Sequence, residues 1–247
     1  MNQEYSADYK LSLYINRIRA FLLNQGFFEH HLYSTTNYKI ENTDTFPLKD
    51  GISLRYNPEP DIWQIGIKYD KFFWIGSMFR NEKEINETRR YEFTVVDIYQ
   101  PNGRQEDVVS KFIEILKMLE ERLKLPVLSS CEVKTMLHEE FNKEDRILPS
   151  GRCWLLVTNY PIVESFYDTG KDSDYTSKFE IYFVDEGVPL EIAACGNLGE
   201  NINKVNYISS EDSYINQEII NKKFIGFGFG LERLIFLYDR EAIDHTE

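Results

Sequence analysis

With 247 residues, 42% of them hydrophobic and 15% aromatic, the chain can bury the core of a single domain spanning 1–247, and its modest Gly and Pro content excludes a disordered or collagen-like chain. A formal net charge of −13 argues against a broad basic surface for nucleic acid. No stretch suits a membrane span or a signal peptide, and Cys131, Cys153 and Cys195 follow no zinc or redox spacing, so a cytoplasmic protein with reduced thiols is expected.

Leu11, Tyr14, Ile15, Ile18, Phe21 and Leu22 recur at helical spacing and predict a helix over 11–25, stopped by Gly26. A strand is expected over 52–56, closed by Asn57-Pro58-Glu59-Pro60. Two more strands, 72–82 and 91–100, flank the charged linker 83–90 and read as a long-looped hairpin. An amphipathic helix follows over 105–123, where Val108, Val109, Phe112, Ile113, Ile115, Leu116 and Leu119 make a wide apolar face. The stretch 131–151 has only a weak pattern. Strand patterns return at 153–158, 179–184 and 190–194, the last two joined by the turn Asp185-Glu186-Gly187, and 224–229 leads into a closing helix over 231–238. Hairpin-joined strands with interspersed helices predict an α+β fold, an antiparallel sheet flanked by helices.

Period-two alternation places Phe93, Val95, Asp97 and Tyr99 on one face of their strand and Thr94, Val96 and Ile98 on the other, which looks like core. The neighbouring strand offers Arg80 and Glu82 on alternate positions, and the first set suits a flat ring carrying mixed charges. A half-exposed hairpin with polar groups facing water accounts for the same pattern. Gly226, Gly228 and Gly230 form neither a phosphate loop nor a dinucleotide fingerprint, and taken alone they only permit close packing. His30, His31, His138 and His245 show no metal-binding spacing and are expected at the surface.

Phe79-Arg80-Asn81-Glu82, followed beyond the loop by Glu92-Phe93-Thr94 and Asp97-Ile98-Tyr99, resembles motif 2 of class II aminoacyl-tRNA synthetases, nearest to the lysyl, aspartyl and asparaginyl group. Gly226-Phe227-Gly228-Phe229-Gly230-Leu231-Glu232-Arg233-Leu234 resembles motif 3. Pro58-Glu59, the run Val157-Thr158-Asn159-Tyr160-Pro161, Phe166-Tyr167, Phe179-Glu180 and Glu191-Ile192 extend the likeness over nearly the whole chain. The resemblance implies a class II catalytic fold that uses ATP and Mg2+ to turn an amino acid into an aminoacyl adenylate. It implies Arg80 on the α-phosphate and the substrate carboxylate, an adenine held between Phe93 and Arg233, and Glu82 at the adenine end. It further implies Arg89 or Arg90 on the terminal phosphates, Gly228 and Gly230 against the nucleotide, and Glu59 on the α-ammonium. Asp97 and Tyr99 would face the substrate side chain, and Glu180 and Glu191 would bind magnesium.

The sequence departs from the family in three places. No anticodon-binding domain is expected before the first helix. Motif 1 lacks its proline in His30-His31-Leu32-Tyr33, which loosens the homodimer the family implies. The segment Ile192-Ala193-Ala194-Cys195-Gly196-Asn197 has no arginine of the kind with which aspartyl enzymes clamp a side-chain carboxylate. Three readings stay open: a free-standing enzyme that passes the acyl group to a small molecule, a protein, a carrier or ammonia; a compact synthetase or catalytic subunit that charges tRNA; and a non-catalytic paralogue that senses an amino acid or a nucleotide.

Overall fold

The computed structural model describes residues 6–36, 45–58, 68–164, 174–197 and 224–244. Helix α1 (Ala7–Asn24) starts where the Ser6 hydroxyl accepts the Tyr9 N–H at 3.3 Å, and it ends ahead of Gly26, whose φ of +79° suits glycine alone without strain. Three short strands follow, β1 (Phe28–His30), β2 (Thr35–Thr36) and β3 (Ser53–Leu54), and then the expected hairpin of β4 (Phe72–Phe79) and β5 (Glu92–Pro101). Next come α2 (Gln105–Leu123), β6 (Glu132–Leu137), the one-turn α3 (His138–Phe141), β7 (Cys153–Thr158), β8 (Phe179–Asp185), β9 (Val188–Asn197), β10 (Phe224–Gly230) and α4 (Leu231–Asp244).

Eight strands form one sheet in the order β1-β4-β5-β10-β9-β8-β7-β6, while β2 and β3 pair separately. The six central strands are antiparallel, as their turn signals predict. Both edges differ: β1 lies parallel to β4 and β6 parallel to β7, so the sheet is mixed. Parallel partners are joined by long connections instead of a local turn, so no turn chemistry announces them. β6 also shows mostly exposed or half-buried residues, which hid it within the weakly patterned stretch.

One face of the sheet is packed by helices. Tyr14, Ile18 and Leu22 of α1, Phe112, Ile115, Leu116 and Leu119 of α2, and Leu231, Leu234 and Leu237 of α4 close over Phe73, Val96, Ile98, Trp154, Phe183, Phe227 and Phe229. Burying each such side chain contributes about 1.5–3 kcal/mol. Glu120, near the end of α2, accepts the Leu128 and Ser129 N–H groups at 2.8 and 2.7 Å and the Tyr238 hydroxyl at 2.9 Å, which ties α4 to α2. On the opposite face two smaller clusters stand apart. Trp74, Met78 and Val95 lie at the β4–β5 side, and Phe141, Cys153, Leu155, Val157, Tyr160 and Val184 at the β7–β8 side. Strands β10 and β9 run between them.

Among the described residues no helix is long and apolar enough to cross a membrane. The three cysteines are free, with Cys153 and Cys195 buried and Cys131 half-buried.

Candidate active site

The register of the central strands lays one row of residues across the sheet: Trp74, Asp97, Gly228, Ala194, Glu180 and Val157 are successive partners on β4, β5, β10, β9, β8 and β7. Paired residues share a face, so Asp97 and Glu180 lie on the side away from the helices, roughly 14 Å apart at the usual strand spacing. In β10 the alternation is complete: Phe227 and Phe229 enter the helix-side core, and Gly226, Gly228 and Gly230 leave the other side bare. A Cβ at Gly226 would sit 2.6 Å from the Tyr99 ring, and one at Gly228 would meet the Asp97 carboxylate at 3.3 Å, whereas a Cβ at Gly230 meets nothing within 4 Å. The first two glycines thus make room for side chains that lean over from β5.

A cavity of about 140 Å³ opens on this bare strip. Its floor is Met78, Val95, Asp97, Ile192, Ala194 and Gly228; its rim is Arg80, Glu82, Arg89 and Arg90 from the β4–β5 loop, with Glu232 and Arg233 from the first turn of α4. Phe93, Glu191 and Gly230 also line it. The volume is below the roughly 300–1,000 Å³ of pockets that enclose small ligands. Two arginines lie across the space. The Arg80 guanidinium stacks 5.2 Å from the centroid of the Phe93 ring, and Arg233 donates to the Thr88 carbonyl at 3.0 Å and pairs with a Glu191 carboxylate oxygen at 3.2 Å.

The loop over the cavity is ordered by Asn86, whose side-chain oxygen accepts the Thr88 and Arg89 N–H groups, both at 2.9 Å. At the loop's far end Glu232 accepts the Thr94 N–H at 2.9 Å with either carboxylate oxygen, tying the first turn of α4 to the start of β5. Arg89 and Glu82 stand 3.9 Å apart on the rim, a contact too exposed to add much stability.

Glu191 reaches the cavity through an irregularity. Ile181 pairs with Ala193 but Tyr182 pairs with Glu191, so Ile192 is an extra residue, a β-bulge. Simple alternation from Ala194 would send Glu191 to the helix side; the bulge turns it onto the same face as Asp97 and Glu180.

Two of the expected site residues fall elsewhere. Tyr99 is buried, stacked on Phe72 with centroids 5.1 Å apart, and it does not line the cavity. Glu180 is also outside the lining: Lys178 lies 3.0 Å from one of its oxygens, and the other accepts the Tyr160 and Tyr182 hydroxyls at 2.6 and 2.5 Å. Burial opposes ionisation of Glu180, yet Lys178 and these hydrogen bonds outweigh it and hold the carboxyl below the usual carboxylate range; burial and Glu180 together push both tyrosine hydroxyls up, so they stay donors. Glu59 lies outside the described residues. His138, expected at the surface, is buried against Tyr160 with centroids 4.3 Å apart, because α3 folds back over β7.

Magnesium does not fit Glu180 as it stands. Mg2+ needs oxygens at about 2.0–2.1 Å in near-octahedral array, and both oxygens of Glu180 are already taken by donors. Among the described residues no group of three or more His, Cys, Asp or Glu could hold a metal ion. Sequence reading gave no role to Asn57, Glu87, Thr88 and Glu232, which also line the cavity. Only Glu232 carried a signal, an acid in the first turn of a helix, and that is commonly a solvated residue answering the helix dipole.

No family model matches the sequence, and no curated protein matches it. Solved structures do. Asparaginyl-tRNA synthetase of Entamoeba histolytica in complex with asparaginyl-adenylate superposes with a TM-score of 0.69 at 13% identity, covering 95% of this chain and 68% of that one. Asparaginyl-tRNA synthetase of Pyrococcus horikoshii complexed with asparaginyl-adenylate gives 0.67 at 17% identity, covering 90% and 62%. A further structure of the Entamoeba histolytica enzyme gives 0.68 at 14%, covering 91% and 62%. The chain thus spans about two thirds of the length of these neighbours and shares their fold, a mixed sheet flanked by helices.

Proposed function

We propose that the chain activates the carboxylate of an amino acid, or of an amino-acid-like compound, with ATP. A carboxylate oxygen attacks the α-phosphorus, the bond from that phosphorus to the bridging oxygen breaks, and pyrophosphate leaves with the electron pair. An acceptor nucleophile then attacks the acyl carbon of the aminoacyl adenylate and loses its proton, and the bond to the phosphate oxygen breaks so that AMP leaves with the electron pair. The observation that carries this reading is the convergence of Arg80, Phe93, Asp97, Glu191 and Arg233 on one cavity, in a fold shared with enzymes solved with asparaginyl-adenylate.

In this reading the arginines change partners. A flat base takes the face of Phe93 that Arg80 now covers, with Arg233 moving over the base's other side. Arg80 swings to the α-phosphate and the incoming carboxylate, where its planar fork meets two anions that draw together in the transition state. Arg89 and Arg90, on the loop, take the departing phosphates, and Glu82 reads the adenine edge. Gly228 and Gly230 leave the floor low enough for the nucleotide to approach the strand, and Asp97 faces the substrate side chain. Magnesium would arrive on the triphosphate.

ATP–pyrophosphate exchange over a panel of amino acids, asparagine first and non-proteinogenic ones included, tests the proposal. Exchange that depends on one of them is the expected result; nucleotide binding without exchange under any substrate would favour a sensor.

A further inference from the structure

The carboxylate row on the site face is not bare. Lys178 precedes Glu180 by two residues, so strand alternation sends both side chains to the same side, and the ammonium closes back on its neighbour at 3.0 Å. The contact is sheltered: the Lys178 and Glu180 side chains keep 17% and 13% of their exposure. The Lys178 ammonium also lies 4.3 Å from the centroid of the Tyr160 ring, an attraction that holds it over the carboxylate, and the Tyr160 and Tyr182 hydroxyls occupy the second oxygen. An ionised carboxylate has about four acceptor positions. Three are filled here by groups of the chain itself, two of them neutral donors and one a full positive charge.

Glu191, by contrast, keeps 40% of its side-chain exposure, lines the cavity and meets a cation from the rim, Arg233, at 3.2 Å. Arg233 sits on a helix end and can be exchanged for a ligand-borne charge. Lys178 cannot leave as easily, because its ring partner Tyr160 is itself bonded to Glu180 and packed under His138. The two acids that the resemblance pairs as magnesium ligands therefore differ in kind.

We infer that Lys178 is a built-in cation at Glu180, taking the place of a protein-bound divalent ion there, so that only the ion carried by the nucleotide phosphates is used and Glu180 is not one of its ligands. This rests on the nucleotide-binding reading given above and deepens it, by fixing how many metal ions the site takes. Glu180, Tyr160 and Tyr182 become the holder of Lys178, and the chain's own ammonium supplies the positive charge at Glu180.

Counting Mn2+ on the full-length chain by electron paramagnetic resonance tests it, in the presence of the uncleavable analogue α,β-methylene-ATP. The wild type and Glu180→Gln are expected to bind the same number of ions with affinities within about twofold, while Lys178→Ala gains one ion that Lys178→Arg does not. Loss of an ion, or a more than tenfold weakening, in Glu180→Gln overturns the inference, and so does an unchanged ion count in Lys178→Ala whose circular dichroism and melting match the wild type. If that variant unfolds, Lys178→Met at the same position gives the count. Calorimetry of the analogue separates the two ideas. A wild type that binds no analogue sinks the nucleotide reading, while Mn2+ counted without nucleotide still reports whether Lys178→Ala opens a site on Glu180.

Discussion

The two faces of the central strands obey different rules, although the same residues in alternation build both. Toward α1, α2 and α4 the strands present Val96, Ile98, Phe227 and Phe229, nearly or fully buried and in contact with helix side chains. Away from the helices the same strands present Asp97, Gly226, Gly228 and Gly230, and the neighbouring strand adds Glu191 and Ala194. Substitution on the first face should be read as packing lost. On the second it should be read as room or charge altered at a site.

Variants of β10 and its surroundings break or sharpen that contrast. Phe227→Ala removes a ring from the helix-side core and should cost about 3–5 kcal/mol of stability by urea unfolding; a loss below about 1 kcal/mol would place that residue in a loosely packed region. Arg80→Ala should lower ATP–pyrophosphate exchange by about 10²–10³-fold, or about 2.7–4 kcal/mol, while the melting temperature stays within a few degrees. Near-normal exchange would remove Arg80 from the proposed chemistry. Gly226→Ala pushes a methyl group to 2.6 Å from the Tyr99 ring and should cost about 1–3 kcal/mol, read as a lower urea midpoint. Gly230→Ala meets open space and should change stability by less than about 0.5 kcal/mol in the same measurement. If the two glycine variants behaved alike, steric room would not be what distinguishes these positions.

Much of this was legible from the residues because it is local. The hairpin of β4 and β5, the helices over 105–123 and after 231, and the facing of Val96 and Ile98 all follow from periodicity and turn chemistry. The convergence of Arg80, Phe93, Asp97 and Arg233 was anticipated from the wording of two motifs far apart in sequence, which no periodicity could have joined. What escaped notice depends on partners across the sheet. The parallel edges β1 and β6 have no turn to announce them, and the burial of Tyr99 follows from Phe72 beside it and the bare Gly226 under it. The tie from Lys178 to Glu180 spans only two residues, yet a lysine near a glutamate on a strand is ordinarily solvated. Tyr160 and Tyr182, brought in by β7 and β8, are what enclose it.

The bulge at Ile192 makes the facing of Glu191 a question of parity. Deleting that one residue would restore strict odd–even order to β9 and leave Glu191 opposite Tyr182 on the cavity side, with Leu190, Ala193 and Ala194 keeping their present sides. Removing Ile192 and Ala193 together would instead make Glu191 the direct neighbour of Ala194 and turn its carboxylate into the oily side of the sheet. Between Glu191 and Ala194, the loss of one residue should therefore be survivable and the loss of two ruinous.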